Sequence, residues 1–330
     1  MRVLVTGGAG FIGSHFVRSL LTDRYAGFEG VGVVVLDKLT YAGNRQNLAS
    51  FLGDSRLTFV VGDIADANVV DSVMGGLDAV VHFAAESHVD RSIAAATEFI
   101  TTNVLGTQVL LTAALRHKVP RFVHISTDEV YGSIETGSWP ETHPLEPNSP
   151  YAASKASSDL LVLAFSRTHG LDASITRCSN NYGPFQHPEK VIPLFVTNLV
   201  EGLSVPLYGD GMNVREWLHV DDHCRAVALV LQHGRPGEVY NVGSGAELSN
   251  TQLTARLLEL MDADWASVEQ VTDRKGHDRR YSVDTSKIER ELGFHPEVSF
   301  DEGLEATVAW YRNNRAWWGP LKSSRSGSQG

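Results

Sequence analysis

The chain has 330 residues, of which 42% are hydrophobic and 20% are charged, and its formal net charge is -11 at pH 7. That length and hydrophobic content suffice for one large core or two smaller ones, and they exclude a fibrous or disordered chain. The excess of acidic residues argues against non-specific binding to nucleic acid, so an anionic ligand would have to meet a local group of basic side chains.

The first residues form a short apolar run that ends at glycines. Residues 2–6 predict a buried strand, because the run is too short for a transmembrane helix and lacks the pattern of a signal peptide. No other apolar run has the length needed to span a bilayer. The two cysteines, Cys178 and Cys224, are expected to be reduced thiols, and no Cys/His group has zinc-site spacing. We therefore expect a cytoplasmic protein with no metal site and no membrane association.

The first half of the chain alternates short β-branched runs with longer amphipathic segments. The β-branched runs predict strands at residues 2–6, 32–36, 58–62, 79–82, 121–126 and 173–177. Helical spacing marks residues 14–22, 67–74 and 102–117, and a further helix begins near Tyr151. This alternation predicts an α/β fold with a parallel, doubly wound sheet.

The pattern changes beyond about residue 180. Turns rich in Gly and Pro, at residues 181–184, 208–211 and 234–237, separate shorter helices and strands. We expect a nucleotide-binding domain at residues 1–180 and mainly a smaller substrate-binding lobe at residues 181–318. The chain is expected to recross to the large sheet near residues 217–243, and residues 322–330 are expected to form a flexible tail.

A glycine-rich loop follows the first strand. Gly7, Gly10 and Gly13 precede a helix that is expected to start at Phe11 or Ile12. This spacing permits a tight turn and lets the backbone and the helix N-terminus approach a pyrophosphate. The loop therefore predicts a dinucleotide site.

The second strand ends at Asp37, where a carboxylate can accept the ribose hydroxyls of an adenosine and would repel a 2′-phosphate. This favours NAD over NADP, although the neighbouring Lys38 could partly accommodate that phosphate. Asp63 and Ile64, after the third strand, are expected near the adenine.

Two further motifs carry the chemistry. Tyr151 and Lys155 are four residues apart, so a helix would project both from one face. The ammonium, together with the positive nicotinamide ring, would lower the pKa of the phenol and make it a usable base towards a sugar hydroxyl. Thr127, Asp128 and Glu129 follow directly after the predicted strand at residues 121–126. Their two carboxylates add proton carriers that hydride transfer alone does not require, which indicates an elimination.

These motifs together resemble the extended short-chain dehydrogenase/reductase family of NAD-dependent epimerases and dehydratases. Within that family, the chain is similar to the dTDP-glucose 4,6-dehydratases from residue 1 to about residue 318. The most specific segments are HFAAESHVDRSI (82–93), STDEVYG (126–132), NNYGPFQHPEKVIP (180–193), YGDGMNVREWLHVDD (208–222) and DRKGHDRRYSVD (273–284). The resemblance implies a Rossmann-type domain with a smaller mixed α/β C-terminal lobe.

The resemblance also implies an activity. Carbon 4 of dTDP-glucose would be oxidised, water would be lost across carbons 5 and 6, and the hydride would return to carbon 6, so that tightly bound NAD is regenerated in each turnover. Tyr151 and Lys155 would serve the oxidation and Thr127 would bind the sugar hydroxyl. Asp128 would protonate the departing 6-hydroxyl, and Glu129 would remove the proton from carbon 5.

Further binding residues follow from the same resemblance. The cofactor would contact Tyr151, Lys155 and a wider set: Gly7, Gly10, Phe11, Ile12, Gly13, Asp37, Lys38, Thr40, Asp63, Ile64, Phe83, Ala84, Ala85, Ser87, Thr102 and Asn181. The substrate would contact Ser87, Thr127, Asn180, Lys190, Val191, Pro206, Leu207, Tyr208, Arg215, Asn250, Arg274 and His277. Thymidine rather than uridine rests on this likeness alone.

Two other functions remain open. One is an epimerase, or a 4,6-dehydratase acting on a UDP- or GDP-sugar, with the same Tyr/Lys pair. The other is a non-catalytic regulator that senses NAD. The resemblance further implies a homodimer in which helices at residues 102–117 and 152–168 pair with those of a second subunit.

Overall fold

The structure, a computed structural model, describes residues 1–273 and 276–326. The predicted substrate residue Arg274 and the end of the predicted tail, 327–330, lie outside the described residues. The strands are β1 Arg2–Thr6, β2 Gly32–Asp37, β3 Leu57–Val61, β4 Ala79–His82, β5 Arg121–Thr127, β6 Ala173–Cys178, β7 Asn180–Tyr182, β8 Val205–Tyr208, β9 Val214–His219, β10 Val239–Val242, β11 Glu247–Ser249 and β12 Val268–Val271.

Helices connect most of these strands. They are α1 Phe11–Leu21, α2 Ala67–Met74, α3 Val89–Ala94, α4 Ala96–Phe99, α5 Thr107–Arg116, α6 Pro150–His169, α7 Val191–Val200, α8 Val220–His233, α9 Asn250–Leu260, α10 Ser286–Leu292, α11 Phe300–Asn313 and α12 Arg315–Ser326. A π-helical segment, Ile100–Gly106, precedes α5, and short 3-10 helices cover Arg45–Phe51, Asp128–Tyr131 and Trp265–Ser267.

Seven parallel strands form the large sheet, in the order β10-β6-β5-β4-β1-β2-β3. The order reverses between β1 and β4, because successive strands run outward in one direction from β1 and in the other from β4. A ligand crevice forms at such a switch point, outside the carboxyl ends of the strands. The predicted doubly wound parallel sheet is therefore confirmed.

The strand residues alternate between two cores, one on each face of this sheet. Val3 and Val5 of β1 pack in one core together with side chains of α1 and α8. Leu4, between them, packs in the other core with side chains of α2, α5 and α6. Both faces are apolar because successive side chains of a strand point to opposite sides and helices cover both.

The C-terminal part of the chain builds two smaller sheets. Strands β11, β9 and β7 form one and β12 and β8 the other, with both parallel and antiparallel pairs. Their core includes Tyr182 and Trp217. This mixed architecture agrees with the predicted smaller lobe, whereas the boundary at residue 180 stays a prediction.

The return of the chain to the large sheet differs in one respect from the prediction. Residues 217–219 belong to β9 and therefore to a small sheet, while β10 forms an edge of the large sheet and α8 packs on one of its faces. The strand goes to the smaller lobe because it pairs with β7, which follows β6 after one residue. Among the described residues, no helix is both long and apolar enough to cross a membrane.

The helix predicted at residues 102–117 is divided into the π-helical segment and α5. Within the wide turn, Asn103 is buried and its amide contacts the backbone N–H and C=O of Glu86 at 2.9 and 3.0 Å and the hydroxyl of Ser154 at 2.8 Å. Wider turns of this kind often occur at functional sites. Here the turn ties the segment after β4 to α6.

Candidate active site

Two adjoining cavities open at the carboxyl ends of the central strands. The first lies over the glycine-rich loop and the ends of β2, β4, β5 and β6, and the second extends towards the smaller lobe. Both cavities are lined by the same boundary residues, namely Ser87, Glu129, Asn180, Asn181, Gln186, Glu189 and Lys190. A ligand in one cavity would therefore meet a ligand in the other at Glu129.

The glycine-rich loop is packed too closely for side chains. Gly7 has φ +68°, and a Cβ on it would lie 2.7 Å from the backbone nitrogen of Ala84. A Cβ on Gly13 would lie 2.3 Å from the carbonyl oxygen of Gly7. The loop therefore brings its backbone and the first turn of α1 against the first cavity, as binding of a pyrophosphate requires.

Asp37 is held by the loop that it faces. One carboxylate oxygen accepts a hydrogen bond from the backbone N–H of Ala9 at 2.9 Å and the other from that of Leu39 at 2.8 Å. Burial raises the pKa of this carboxyl, while these two backbone donors act to lower it. Each carboxylate oxygen can accept more than one hydrogen bond, so the side chain fits a ribose with two free hydroxyls.

Lys38, which the sequence offered as a partial acceptor of a 2′-phosphate, is paired with an acid in the structure. Its ammonium lies 2.6 Å from the carboxylate of Asp63, so the nearby cation is already paired with an acid. Together, the glycine cradle, the carboxylate and this ion pair fit a dinucleotide without a 2′-phosphate.

The remaining predicted cofactor residues line the same cavity. They comprise Phe11 and Ile12 at the start of α1, residues that follow strands β2, β3 and β4, and residues of the π-helical segment, α6 and β7: Thr40, Ile64, Phe83, Ala84, Ala85, Ser87, Thr102, Tyr151, Lys155 and Asn181. The structure thus brings every predicted cofactor residue to one cavity.

Thr127, Asp128 and Glu129 lie where β5 ends and a 3-10 helix begins. The Thr127 hydroxyl caps this helix by accepting from the Glu129 backbone N–H at 3.3 Å, and it donates to Asp128 at 3.1 Å. Asp128 is 2% exposed, and its Oδ2 atom has no hydrogen-bond partner among the described residues. Burial, followed by the charges of Glu129 and Glu216, raises the pKa of Asp128 well above its usual value. This shift favours the protonated form of Asp128, which is the form that can act as a proton donor.

Tyr151 lies in the first turn of α6 and lines the first cavity. Burial, followed by the charges of Glu129, Cys178 and Asp128, raises the pKa of its phenol well above the usual value, and a hydrogen bond with Thr127 acts in the opposite direction. The predicted lowering by Lys155 together with the positive nicotinamide ring stays a prediction for the enzyme with NAD bound, because the protein's own groups raise this pKa. Burial and acidic neighbours dominate because these residues fold close to the phenol.

Lys155 lies one turn further along α6 and is buried beneath the same cavity. Its ammonium donates to the backbone oxygen of Ile125 at 2.7 Å and lies 3.5 Å from Nε2 of His124. Burial lowers the pKa of Lys155 from 10.5 to about 8, and the nearby Asp159 carboxylate opposes that shift.

Most of the predicted substrate residues line the second cavity. They are Ser87, Asn180, Lys190, Val191, Pro206, Tyr208, Arg215, Asn250 and His277, while Thr127 lines the first cavity. Leu207 lines neither cavity, because alternate side chains of β8 point to opposite sides and Leu207 packs beside Gly211. Within the described residues, no group of three His, Cys, Asp or Glu side chains could hold a metal ion.

Arg215 is oriented by residues that the sequence did not single out. Its guanidinium lies 4.3 Å from the ring centroid of Tyr281 and donates to the carbonyl oxygen of Asp278 at 3.0 Å. Both Tyr281 and Asp278 line the second cavity. They occur in the segment DRKGHDRRYSVD, but nothing in the sequence pattern indicated their contact with Arg215.

Comparisons with known proteins agree with this geometry. A family model described as GDP-mannose 4,6 dehydratase matches residues 4–307. A dTDP-glucose 4,6-dehydratase from Streptomyces antibioticus is 63% identical over 99% of this chain and 97% of that protein. The crystal structure of DesIV, a dTDP-glucose 4,6-dehydratase from Streptomyces venezuelae with NAD and TYD bound, has a TM-score of 0.96 and 65% identity, covering 97% of this chain and all of that one. A UDP-glucose 4-epimerase from Thermotoga maritima is more distant, with a TM-score of 0.87 and 34% identity over 95% of this chain and 99% of that chain.

Proposed function

The chain belongs to the family described as GDP-mannose 4,6 dehydratase, and from this premise we propose that it is an NAD-dependent dTDP-glucose 4,6-dehydratase, a hydro-lyase of deoxysugar biosynthesis. The membership confirms the family resemblance of the sequence motifs. The high identity to dehydratases over nearly the whole chain supports the reaction and the substrate. The product is dTDP-4-keto-6-deoxyglucose.

One observation carries the proposal. Asp128 is a buried carboxyl with a raised pKa, and it adjoins Glu129 at the boundary between the two cavities. A proton donor next to a second carboxylate suits the removal of a proton and a hydroxyl from neighbouring carbons. Oxidation and reduction alone would not require this pair.

The protein's own groups divide the work as follows. NAD bound in the first cavity supplies a hydride acceptor for carbon 4 and returns the hydride to carbon 6. Tyr151 takes the proton of the 4-hydroxyl, which Thr127 orients, as a phenolate that the Lys155 ammonium and the positive nicotinamide ring of bound NAD would together favour. Lys155 contributes a buried positive charge one helical turn away.

Elimination follows once carbon 4 is a ketone, because the proton on carbon 5 is then acidic. Glu129 removes that proton, and Asp128 donates its own to the departing 6-hydroxyl. Each of these proton transfers contributes about 10²–10⁴-fold to the rate when the group is well positioned.

The second cavity suits the nucleotide diphosphate of the substrate. Two basic side chains line this cavity, Lys190 and Arg215, and Tyr281 orients the second. They supply local positive charge in a protein whose net charge is negative. Asn250 and His277 lie in the same wall, and Arg274 remains a predicted contact. Pro206 and Tyr208 flank the base, and the preference for thymidine rests on the relatives' substrates.

Product analysis tests the proposal. The purified protein is incubated separately with dTDP-glucose, UDP-glucose and GDP-mannose, and the products are identified by mass and NMR. We expect dTDP-glucose to lose one water and yield a 4-keto-6-deoxy sugar. A carbon-4 epimer of UDP-glucose without any 4-keto product would instead establish an epimerase.

An isotope experiment tests the internal return of hydrogen. dTDP-glucose carrying deuterium at carbon 4 should give a product with deuterium at carbon 6. Loss of that deuterium to solvent would contradict a hydride that stays within one active site.

A homodimer is part of the same proposal. Several apolar side chains on neighbouring helical segments are about half exposed: Ile93 at 47%, Ile100 at 51%, Leu105 at 47% and Leu160 at 58%. Such a surface is suited to a second copy of the chain. Leu160→Glu should shift the protein to monomers in sedimentation, and an unchanged mass would oppose this interface. The cytoplasmic location stays a prediction of the sequence.

A further inference from the structure

A chain of hydrogen bonds connects the C-terminal helix α12 to the wall of the first cavity. The indole N–H of Trp317 donates to Oδ1 of Asn47 at 2.9 Å, across 270 positions of sequence. Nδ2 of Asn47 donates in turn to the carbonyl oxygen of Ala9 in the glycine-rich loop, also at 2.9 Å. Neither Asn47 nor Trp317 lines either cavity.

The indole fixes which way the Asn47 amide points. An indole N–H can only donate, so the amide oxygen must face Trp317 and the amide NH₂ must face Ala9. Asn47 is 4% exposed, so water is poorly placed to replace either partner. Its backbone carbonyl also accepts from Arg18 of α1 at 3.0 Å, which ties it to the helix that follows the loop.

The same loop residue, Ala9, also contacts the ribose-binding carboxylate of Asp37. The Ala9 carbonyl accepts from Asn47 and from the backbone N–H of Asn44, while the Ala9 N–H donates to Asp37 at 2.9 Å. The carbonyl and the N–H belong to the two peptide units that meet at the Ala9 α-carbon, so holding the carbonyl restricts the N–H that contacts Asp37. The hydrogen bonds therefore form one series, from Trp317 through Asn47 and Ala9 to Asp37.

Trp317 also supports the boundary between the cavities. Its ring packs edge-on against Phe185 at 5.4 Å between centroids, and Phe185 holds a strained backbone with φ +69°. The next residue, Gln186, lines both cavities and receives a hydrogen bond on its carbonyl oxygen from the hydroxyl of Tyr311. Trp310 packs on Phe185 as well, at 4.6 Å, by ring contact.

We propose that Trp317 and Asn47 are positioning residues for the dinucleotide, which hold the glycine-rich loop and Asp37 in the binding conformation from outside the cavity. The inference rests on the NAD site of the proposed function, but not on the identity of the sugar nucleotide. A buried acceptor left without its donor costs enough to shift a loop equilibrium substantially. Trp317→Phe should therefore weaken NAD binding about 5- to 30-fold.

Direct binding tests this without turnover. The fraction of purified protein that retains NAD after gel filtration is measured, together with the dissociation constants of NAD and of adenosine diphosphate ribose. Because the series of hydrogen bonds ends at the ribose-binding Asp37, Trp317→Phe should weaken the binding of both ligands by the same factor. Trp310→Phe is the matched control. It removes a neighbouring indole but none of the hydrogen bonds that link Trp317 to Asp37, so it should bind NAD and adenosine diphosphate ribose as the unmodified protein does.

A second variant keeps the test decisive if Trp317→Phe folds poorly. Asn47→Asp has nearly the same shape, but it presents an oxygen to the Ala9 carbonyl and should weaken NAD binding more than Trp317→Phe. The double variant should bind no more weakly than Asn47→Asp alone, since the two side chains act in series. The proposal would be overturned if Trp317→Phe bound NAD as tightly as Trp310→Phe does. It would also be overturned if only NAD, and not adenosine diphosphate ribose, bound more weakly, or if the effects of Trp317→Phe and Asn47→Asp on binding added in the double variant. Turnover of dTDP-glucose is assayed separately, so failure of the proposed substrate would leave this result intact.

Discussion

Asp159 lies at the centre of a buried ion pair beneath the catalytic residues, and its replacement by Asn should be strongly destabilising. The carboxylate is 0% exposed, lies 2.9 Å from Nε of Arg177 and lies 3.4 Å from Nε2 of His124. Burial by itself would raise the pKa of Asp159, but Arg177, His124 and Lys155 together hold it below the usual value. The folded protein therefore favours the charged form.

The magnitude follows from what the substitution leaves behind. Asp159→Asn keeps the shape but leaves the Arg177 guanidinium, 3% exposed, without its counter-charge. Removing one partner of a buried pair costs about 3–5 kcal/mol, a large part of the roughly 5–15 kcal/mol that stabilises a typical domain. Urea denaturation at neutral pH should show this loss.

The pH dependence has a definite sign. Because the pKa of Asp159 is lower in the folded state, its stabilising contribution is present above the unfolded pKa of about 4 and is lost as the pH falls through the folded pKa. The difference between the unmodified protein and Asp159→Asn should therefore shrink in acid. The same substitution removes a group that raises the pKa of Lys155. The alkaline limb of the pH–rate profile should then move to lower pH.

Two controls make the outcome interpretable. The double variant Asp159→Asn/Arg177→Met removes both charges, so it should lose less stability than the two single changes added together. Asp54→Asn removes a partner of the partly exposed Arg56, far less buried than Arg177, and should change the urea midpoint much less. A loss below about 1 kcal/mol for Asp159→Asn, or an additive double variant, would refute the reasoning.

Three other changes test the site itself. Gly13→Ala places a Cβ 2.3 Å from a loop carbonyl and should abolish NAD retention, whereas Gly53→Ala, with no neighbouring atom within 4 Å, should retain it; the NAD content of the purified proteins decides this. Asp128→Asn should slow product formation about 10²–10⁴-fold, and in the unmodified enzyme the elimination should fail as pH rises through the raised pKa of Asp128; a pH–rate profile without that loss would oppose its role as the acid. Tyr151→Phe should suppress oxidation of carbon 4, while Glu129→Gln should allow a 4-keto sugar that keeps its 6-hydroxyl to accumulate, which quenched mass spectrometry detects.

The sequence determined the architecture because each feature is encoded locally. Two apolar faces on β-branched strands separated by helices predicted the parallel sheet, and β1 and β4 have the expected bounds. The spacing of Gly7, Gly10 and Gly13 predicted where the cofactor loop lies, since Gly10 and Gly13 are crowded by Gly7 within the loop and Gly7 adopts a positive φ. The close approach of Gly7 to Ala84, by contrast, is a tertiary contact.

The tertiary structure alone decided the electrostatics and the supports of the site. Lys38 pairs with Asp63, and Trp317 contacts Asn47, across segments that are distant in sequence. The raised pKa of Tyr151 likewise results from burial and from groups on other segments. A pKa depends on how much water the whole fold removes from a group and on which charges it brings near. Local spacing carries no information about either quantity, which is why the sequence could predict residues that line the two cavities but not their protonation or the side chains that support them.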